Sequence, residues 1–425
     1  MSRAAGAIAS NTAMLSFEAA RAKVIEIVAA RASAPSTEEI DLARESSRAL
    51  GRILVEDVVA DRNYPPFDRS TRDGYALRAS DASQPGAKLR LIGESRAGVA
   101  FDGKVGTGEC VRILTGAPLP RGTNTVVMQE RTRSEGDFVV LDHAAQVGQH
   151  FVCSGVEARV GEVMVPRGAR LSYAELAMSA EVGHARLKVS RRPRVAILST
   201  GDELIGVGQA PGPCQIRNSN NISLSAQVTL AGGEPVDLGT APDEVTALRA
   251  RIEGGLDYDM LLLSGGVSVG KYDLVEAALR DLGAEIFFES VAIRPGKPAV
   301  FGWCRGKPVF GLPGNPVSTM VTFELFAVPA VEILSSSKAR PLPFFKARLV
   351  HPVDEKGEVT HFLPARVTWP ADAEPPSPAV EVLLWEGSGD IGAVVRANCF
   401  AVVRESHRQV EAGEWVDILP RRRTL

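Results

Sequence analysis

Residues 261–273 read LLLSGGVSVGKYD, and this stretch decides how the surrounding sequence folds. Its apolar start has the length of a fully buried strand, and the glycines that follow are typical of a tight turn. A helical pattern then covers residues 273–282. A strand that enters a helix through such a loop directs backbone N–H groups and the helix dipole at one point. The stretch predicts an anion-binding loop in an α/β domain, with a tight turn that binds nothing as the alternative.

The same alternation continues on both sides of this stretch, between residues 194 and 335. Apolar runs lead into turns and then into helical patterns, which predicts βαβ units and a parallel sheet that is buried on both faces. The predicted strands are residues 195–199, 260–263, 299–303 and 308–310, and the predicted helices are residues 219–231, 244–253, 273–282 and 317–334.

Charged residues lie in the loops around these strands. Loops at the carboxyl ends of parallel strands converge on the ligand crevice of such a sheet. They would bring together three acids and two bases, namely Glu203, Asp243, Asp273, Arg294 and Lys297. Each acid taken alone reads as a surface or capping residue. The set together predicts a site that holds an oxyanion and a divalent cation.

The spacing of apolar residues and the frequency of Gly and Pro change along the 425 residues, and these changes divide the chain into four units. We predict an α/β plus β multidomain protein with a central three-layer α/β domain whose sheet is rich in parallel strands. A mixed α+β domain at the N-terminus carries an inserted β domain, and a small barrel-like β domain ends the chain. The predicted boundaries are 13–60 with 150–190, 61–149, 191–336 and 337–425.

Composition argues against several classes of protein. Lys and Arg number 48 against 51 Asp and Glu, so the formal net charge is −3 and a general nucleic-acid binder is not expected. Five scattered cysteines without a Cys-x-x-Cys pair argue against a zinc ribbon and a disulfide framework. The six histidines show no metal-ligand spacing. Without a signal sequence or a long apolar run, we expect a cytoplasmic protein with no membrane span.

Two familiar motifs overlap the glycine-rich loop without matching it well. Gly265, Gly270 and Lys271 have P-loop spacing, but Tyr272 stands where a Ser or Thr must hold magnesium. Residues 266–270 match the nucleophile elbow of a serine hydrolase, with Ser268 as the nucleophile. That chemistry needs a later histidine in the same α/β unit, and all the later histidines fall in the β-rich tail. A hydrolase is therefore a minor alternative.

Six motifs taken in order are more specific than any one of them. They are FDRSTRDGYA (67–76), TGAPLPRG (115–122), STGDEL (199–204), SGGVSVG (264–270), PGKP (295–298) and LPGNPVS (312–318). The set resembles the molybdopterin molybdenumtransferase family, of the MoeA and gephyrin E-domain type. The resemblance extends from about residue 13 to 420.

The resemblance implies an activity and an assembly. Members of the family insert molybdate into adenylylated molybdopterin with the help of Mg²⁺, release AMP and form molybdenum cofactor. They are elongated homodimers in which the α/β domain of one subunit faces the N-terminal β domain of the other across the active cleft. A molybdopterin adenylyltransferase and molybdoenzyme apoproteins are the further partners that it implies, with no nucleic acid and no membrane.

The resemblance also assigns roles to residues of this sequence. The catalytic acids would be Asp73, Glu203, Asp243 and Asp273, and Asp243 and Asp273 would hold magnesium. Arg294 and Lys297 would bind phosphate or molybdate. The remaining substrate-binding residues would cradle the pterin phosphate or shape the wall of the cleft: Thr115, Ser264, Gly265, Gly266, Ser268, Gly270, Pro313, Asn315 and Pro316.

The sequence departs from the family pattern at four positions. Val152 stands where we expect an Arg, and Ser290 occupies a place that is often basic. Glu157 and Asn124 both stand at positions where an Asp is usual. Fewer cations would weaken anion binding, because each charge-assisted hydrogen bond contributes about 1.5–3 kcal/mol. A catalytically weakened paralogue that binds or hands over molybdopterin is therefore the alternative to an active transferase.

Overall fold

The computed structural model describes residues 14–266, 274–355, 358–370, 377–405 and 409–421. By its contacts the chain divides into two compact units. Unit 1 consists of Met1–Glu38, Gly51–Ile53 and Ser190–Leu425, and unit 2 consists of Glu39–Leu50 and Leu54–Val189.

Unit 1 is built on a six-stranded sheet. Its strands are β1 (Arg194–Thr200), β2 (Glu234–Ala241), β3 (Met260–Ser264), β4 (Glu285–Ser290), β6 (Pro298–Cys304) and β7 (Lys307–Leu312), and the short strand β5 (Ile293–Arg294) lies outside the sheet. The order is β2-β1-β3-β7-β6-β4. The first four strands are parallel, whereas β7, β6 and β4 pair antiparallel. The predicted parallel-rich sheet is confirmed.

Helices cover both faces of this sheet. They are α1 (Phe17–Arg31), α2 (Asn220–Ala231), α3 (Val245–Gly255), α4 (Leu274–Asp281), α5 (Pro316–Thr322) and α6 (Val328–Leu334). Along β1, Val195 and Ile197 pack towards α1, α2, α5 and α6, while Ala196 and Leu198 pack towards α3 and α4. Because every strand residue meets a helix layer, β3 is apolar at consecutive positions and fully buried. The domain has the predicted three layers.

Residues Pro316–Leu334 form one helical run in which a π-helical turn, Phe323–Ala327, joins α5 to α6. The run is long enough to cross a bilayer and its mean hydropathy is 1.6. However, 83% of its window is buried inside the fold, which is the property of a core helix. Its apolar character comes from packing on the sheet and on α1.

A closed β-barrel follows the α/β domain. Its strands are β8 (Phe345–Leu349), β9 (Thr360–Thr368), β10 (Ala379–Val382), β11 (Cys399–Val403) and β12 (Trp415–Pro420), and helix α7 (Ile391–Arg396) lies between β10 and β11. Pairing runs from β9 through β10, β8, β12 and β11 and returns to β9. Closure leaves no unpaired edge within this ring. The predicted barrel-like domain is confirmed.

Strand β5 attaches to the barrel. Ile293 and Arg294 pair in parallel with Thr360 and His361 at the start of β9. The chain therefore reaches the barrel before it enters β6 of the central sheet. This pairing fixes the backbone of Arg294 next to the loop of residues 295–297.

Unit 2 contains a second six-stranded sheet. In sheet order its strands are Thr125–Met128, Gly74–Leu77, Glu109–Ile113, Lys88–Ser95, Phe138–Leu141 and Thr132–Glu135. The last two form a hairpin around Gly136, as the sequence predicts. A separate apolar cluster joins the helices Leu42–Ala49 and Tyr173–Glu181 to the strands Val58–Val59 and Val163–Val165.

The predicted domain boundaries stay predictions. One segment, helix α1, packs on a different domain from the one to which the prediction assigns it. The prediction groups residues 13–60 with residues 150–190, whereas α1 buries Phe17, Ala20 and Val24 against the core of the α/β domain. The helical pattern of α1 identifies its apolar face without saying which core covers that face.

Candidate active site

A cleft of about 1160 Å³ opens at the carboxyl edge of the parallel strands of unit 1. Loops that follow β1, β2, β3 and β7 line it, together with the loop between β5 and β6. Ten residues that the sequence predicted lie in its wall: Glu203, Asp243, Ser264, Gly265, Gly266, Arg294, Lys297, Pro313, Asn315 and Pro316. The convergence expected at the carboxyl ends of the strands is present.

The glycines after β3 are required by close packing. Gly265 has φ +91°, and a Cβ there would lie 2.5 Å from the carbonyl oxygen of Thr200. Gly266 has φ +65°, and its Cβ would lie 2.8 Å from side-chain carbons of Thr200 and Val275. Other residue types would be strained in this backbone conformation and would also clash. The absence of a side chain brings the backbone of this loop to the cleft surface, where an anion can approach it.

Asn220 joins two of the cleft loops. Its side-chain Nδ2 donates to Ser264 Oγ and to the carbonyl oxygen of Gly314, both at 2.8 Å. Asn220 and Ser264 are 9% and 2% exposed, so these hydrogen bonds are shielded from water. Sequence reasoning did not assign Asn220. The only signal was a run of polar residues at the start of a predicted helix, which also describes an ordinary helix cap.

Two cations lie in the cleft. Arg294 and Lys297 are both exposed and both line the wall. Within the residues that the structure describes, neither side chain forms an ion pair. Arginines elsewhere on the surface, such as Arg31 and Arg69, do pair with a nearby carboxylate. Their charges are therefore available to an anionic ligand in the cleft.

Two carboxylates accompany the cations. Thr200 Oγ1 donates to Asp243 Oδ1 at 2.7 Å, and the N–H of Asp243 donates to Asp202 Oδ1 at 3.1 Å. Glu203 lines the same cleft and is exposed. The described ranges contain no group of three His, Cys, Asp or Glu side chains arranged to hold a metal. Asp273, Ser268 and Gly270 lie outside the described residues.

Asp73 and Thr115 lie in unit 2 and contact each other. The backbone N–H and the hydroxyl of Thr115 both donate to Asp73 Oδ1 at 2.7 Å. The hydroxyl bond, and after it the backbone bond, lowers the pKa of Asp73 below its usual value. Asp73 therefore stays ionised down to a lower pH than an isolated aspartate. The sequence pointed to both residues, but it did not show that one holds the other.

Thr115→Val is expected to raise the pKa of Asp73 towards the ordinary range, because it removes the hydroxyl donor and keeps the backbone donor. A carboxyl whose pKa is lower in the folded state than in the unfolded state stabilises the fold at pH values above its unfolded-state pKa. This stabilisation is lost as the pH falls through the folded-state pKa. Removing the hydroxyl therefore moves that loss to higher pH. Carbon-detected NMR titration of Asp73 measures the shift. Thr123→Val serves as the control, because the hydroxyl of Thr123 donates to the carbonyl oxygen of Pro120 and not to Asp73. An unchanged Asp73 titration would contradict the assignment.

The departures from the family pattern have structural contacts of their own. Asn124 Oδ1 accepts from the N–H of Ala79 at 2.8 Å, and Glu157 Oε1 pairs with Arg69 Nη2 at 2.6 Å. Val152 pairs with Arg69 in a short antiparallel ladder. Ser290 pairs with Pro298 at the end of β4 and is not among the residues that line the cleft.

One wall of the cleft was not predicted at all. It comes from the barrel, where Val359 and residues 385–388 line the cleft. Asn315 Nδ2 donates to Ser388 Oγ at 2.8 Å, and the N–H of Val317 donates to the carbonyl oxygen of Ser388 at 3.0 Å. These bonds tie the segment to the loop after β7 and to the start of α5. About 70 residues separate the two in sequence, so no local pattern could indicate the contact.

The fold and this cleft define a class of protein: an α/β protein with a cleft at the carboxyl edge of its sheet whose exposed cations suit a small anionic ligand. Three family models match the chain. They are "MoeA N-terminal region (domain I and II)" over residues 15–183, "Probable molybdopterin binding domain" over 196–333, and "MoeA C-terminal region (domain IV)" over 346–420.

Curated proteins and solved structures agree with these matches. A molybdopterin molybdenumtransferase of Haemophilus influenzae is 34% identical, and the alignment covers 96% of this chain and 98% of that protein. The protein of that name from Bacillus subtilis is 33% identical over 87% of both chains. Two structures of the molybdopterin biosynthesis MoeA protein from Pyrococcus horikoshii have TM-scores of 0.77 and 0.75 at 31% and 27% identity. Each covers 96% of this chain, and 99% and 100% of the respective structure.

The chain belongs to the molybdopterin molybdenumtransferase family, as its six motifs predict. It is a transferase of molybdenum cofactor biosynthesis.

Proposed function

We propose that the chain transfers molybdenum from molybdate to adenylylated molybdopterin, with release of AMP and with Mg²⁺ as the cofactor. The observation that carries this proposal is the composition of one cleft. Arg294 and Lys297 share it with the close-approach loop at Gly265 and with two carboxylates. Molybdate and a pyrophosphate are both oxyanions, and such a cleft binds both by the same chemistry.

Arg294 and Lys297 would bind oxygens of molybdate and of the pyrophosphate through charge-assisted hydrogen bonds. The backbone at Gly265 and Gly266 would accept close approach of a phosphate, and the Ser264 hydroxyl adds a polar contact at the same point. Held in this way, the two reactants meet without the entropic cost of a chance encounter, which makes positioning the main contribution of the protein.

Magnesium fits the donor set that the cleft offers. Mg²⁺ usually keeps several waters and is held by one or two carboxylates together with substrate phosphates, so Asp243 and the Asp273 that the resemblance implies would suffice. Glu203 is a further carboxylate in the same cleft. When bound, it would offset negative charge on the phosphate oxygens of the departing AMP. Thr200 holds the carboxylate of Asp243 in place.

We extend the proposal to a homodimer whose cleft is shared between subunits, so that Asp73 of one subunit serves the cleft of the other. The motif that contains Asp73 supports this, since it matches the family pattern although it lies outside unit 1. A molybdopterin adenylyltransferase would supply the substrate and molybdoenzyme apoproteins would receive the product. Sedimentation velocity at micromolar concentration measures the oligomeric state, and a monomer would contradict the shared cleft.

The activity is tested by AMP release. Purified protein with adenylylated molybdopterin and Mg²⁺ is expected to release AMP only when molybdate is added, and EDTA is expected to stop the release. Asp243→Asn should raise the Mg²⁺ concentration for half-maximal rate several-fold, since a neutral amide binds Mg²⁺ more weakly than a carboxylate. Asp202→Asn is the matched control, because its amide oxygen still accepts from the N–H of Asp243.

No AMP release at saturating substrate would contradict the proposal. Tight molybdopterin binding without turnover would then identify the weakened paralogue that Val152 and Ser290 suggested. An equal loss of Mg²⁺ response in Asp243→Asn and Asp202→Asn would show that the loop, and not a carboxylate ligand, sets the response.

A further inference from the structure

Trp385 lies in the wall that the barrel contributes to the cleft. It follows β10 and precedes α7, and its side chain is partly buried. Among the described residues that line the cleft it is the one aromatic side chain; the others are mostly glycine, proline, small polar or charged residues. This large apolar surface therefore faces a cavity that also contains the two cations and the glycine-rich loop.

The other three tryptophans of the chain each have a partner for the ring. Arg31 lies 5.9 Å from the ring centre of Trp303, and Arg348 lies 4.8 Å from that of Trp415. Trp369 stacks on Phe345 with ring centres 6.2 Å apart. Within the part of the chain that the structure describes, no ring or guanidinium is placed over Trp385 in this way.

The indole is held firmly on its protein side. It packs against the core of the α/β domain and against the core of the barrel. The backbone around it is fixed by Asp390, whose carboxylate accepts from the N–H groups of Glu386 and Ala393 at 3.2 and 3.0 Å. These backbone bonds lower the pKa of Asp390, so the carboxylate stays ionised and the loop stays tied. Two further bonds to Ser388, from Asn315 in the loop after β7 and from Val317 in α5, complete the anchoring.

We propose that Trp385 is a stacking platform for a planar nitrogen heterocycle of the substrate. The identity of that substrate rests on the proposed function: adenylylated molybdopterin carries two such rings, the pterin and the adenine. A ring fixed in advance loses little conformational freedom on binding, so its apolar face contributes affinity efficiently. The exposed carboxylate of Glu386 lies next to it in the cleft wall and can accept from the amino group that both rings carry.

Stacking of a base on an aromatic side chain contributes about 1–3 kcal/mol, which corresponds to roughly 5- to 150-fold in affinity. Trp385→Ala is therefore expected to raise the KM for adenylylated molybdopterin about 10-fold and to change kcat little. Trp385→Phe keeps an aromatic face and should restore most of the loss. The unfolding midpoints of both variants serve as the control. If Trp385 had only a structural role, the substitutions would lower the midpoint as well as change KM.

Intrinsic tryptophan fluorescence gives a test that needs no turnover. AMP, 6-hydroxymethylpterin and inorganic pyrophosphate are titrated separately into wild type, Trp385→Phe and Trp415→Phe. We expect AMP or the pterin to quench wild type and Trp415→Phe but not Trp385→Phe, and pyrophosphate to quench none of them. The quenching compound identifies the ring that stacks.

Quenching that persists in Trp385→Phe, or no quenching by either ring compound, would overturn the proposal. So would a Trp385→Ala variant that weakens pyrophosphate as much as it weakens the ring compounds. Failure here is distinguishable from failure of the proposed function: an active transferase can lack the stacking signal, and a chain that releases no AMP can still show it.

Discussion

Alanine at both Arg294 and Lys297 is expected to lower kcat/KM for molybdenum insertion about 100-fold or more. Each cation is exposed in the cleft, and each can form charge-assisted hydrogen bonds to an oxyanion that contribute about 1.5–3 kcal/mol. The two losses will not add fully, because both side chains act on neighbouring oxygens of the same ligands. Molybdate-dependent AMP release measures the effect, and the single variants show how far the two cations are coupled.

Lys307→Ala is the matched control for the single Lys297→Ala variant. Lys307 begins β7, whose other end leads into the cleft, so this variant removes the same single charge from the same unit at the opposite end of a strand. It should change kcat/KM by no more than about twofold, as surface substitutions away from a site usually do. A double variant that keeps wild-type kcat/KM would remove the anion-binding role of the two cations.

Gly265→Ala is expected to destabilise the protein by about 2–4 kcal/mol and to reduce activity at least 10-fold. The backbone at Gly265 has φ +91°, and the added methyl group would lie 2.5 Å from the carbonyl oxygen of Thr200. Strain in this region of φ contributes about 1–3 kcal/mol, and the clash adds to it. Because Thr200 also holds Asp243, any shift of β1 would displace a carboxylate of the cleft. Urea unfolding and AMP release measure the two effects.

Gly314→Ala distinguishes this strain from a general sensitivity of the cleft. A Cβ at Gly314 would have its nearest contact, the Cα of Gly265, at an ordinary 3.6 Å, and its φ lies outside the left-handed region. Its free energy of unfolding should stay within about 1 kcal/mol of wild type. Equal losses in both variants would show that the conformation of Gly265 has no special role.

The sequence predicts the centre of the fold well, because residues 194–335 combine buried apolar strands with glycine-rich turns. All four predicted strands and all four predicted helices of this region are present in the described part of the chain. β2 and β4 were not among the predicted strands. They lie at the two edges of the sheet and their residues are mostly partly or fully exposed, so the continuous apolar run of a central strand is missing.

The candidate site was predictable where residues follow strands of one sheet, since topology alone brings those loops together. It was not predictable where contacts join distant segments. Asn220 acts through two hydrogen bonds that a sequence cannot show, and the wall at residues 385–388 belongs to the barrel. The roles of Asp73 and Thr115 came from resemblance, and their mutual contact came from the structure.

Because β5 pairs with β9, the barrel helps to fix where the positive charge of Arg294 lies in the cleft. Arg294 lies in a two-residue strand that pairs with the first two residues of β9, so the position of its positive charge depends on how the barrel packs. Substitutions in the barrel that shift the start of β9 are therefore expected to move the charge of Arg294, even where the substituted residue does not itself line the cleft.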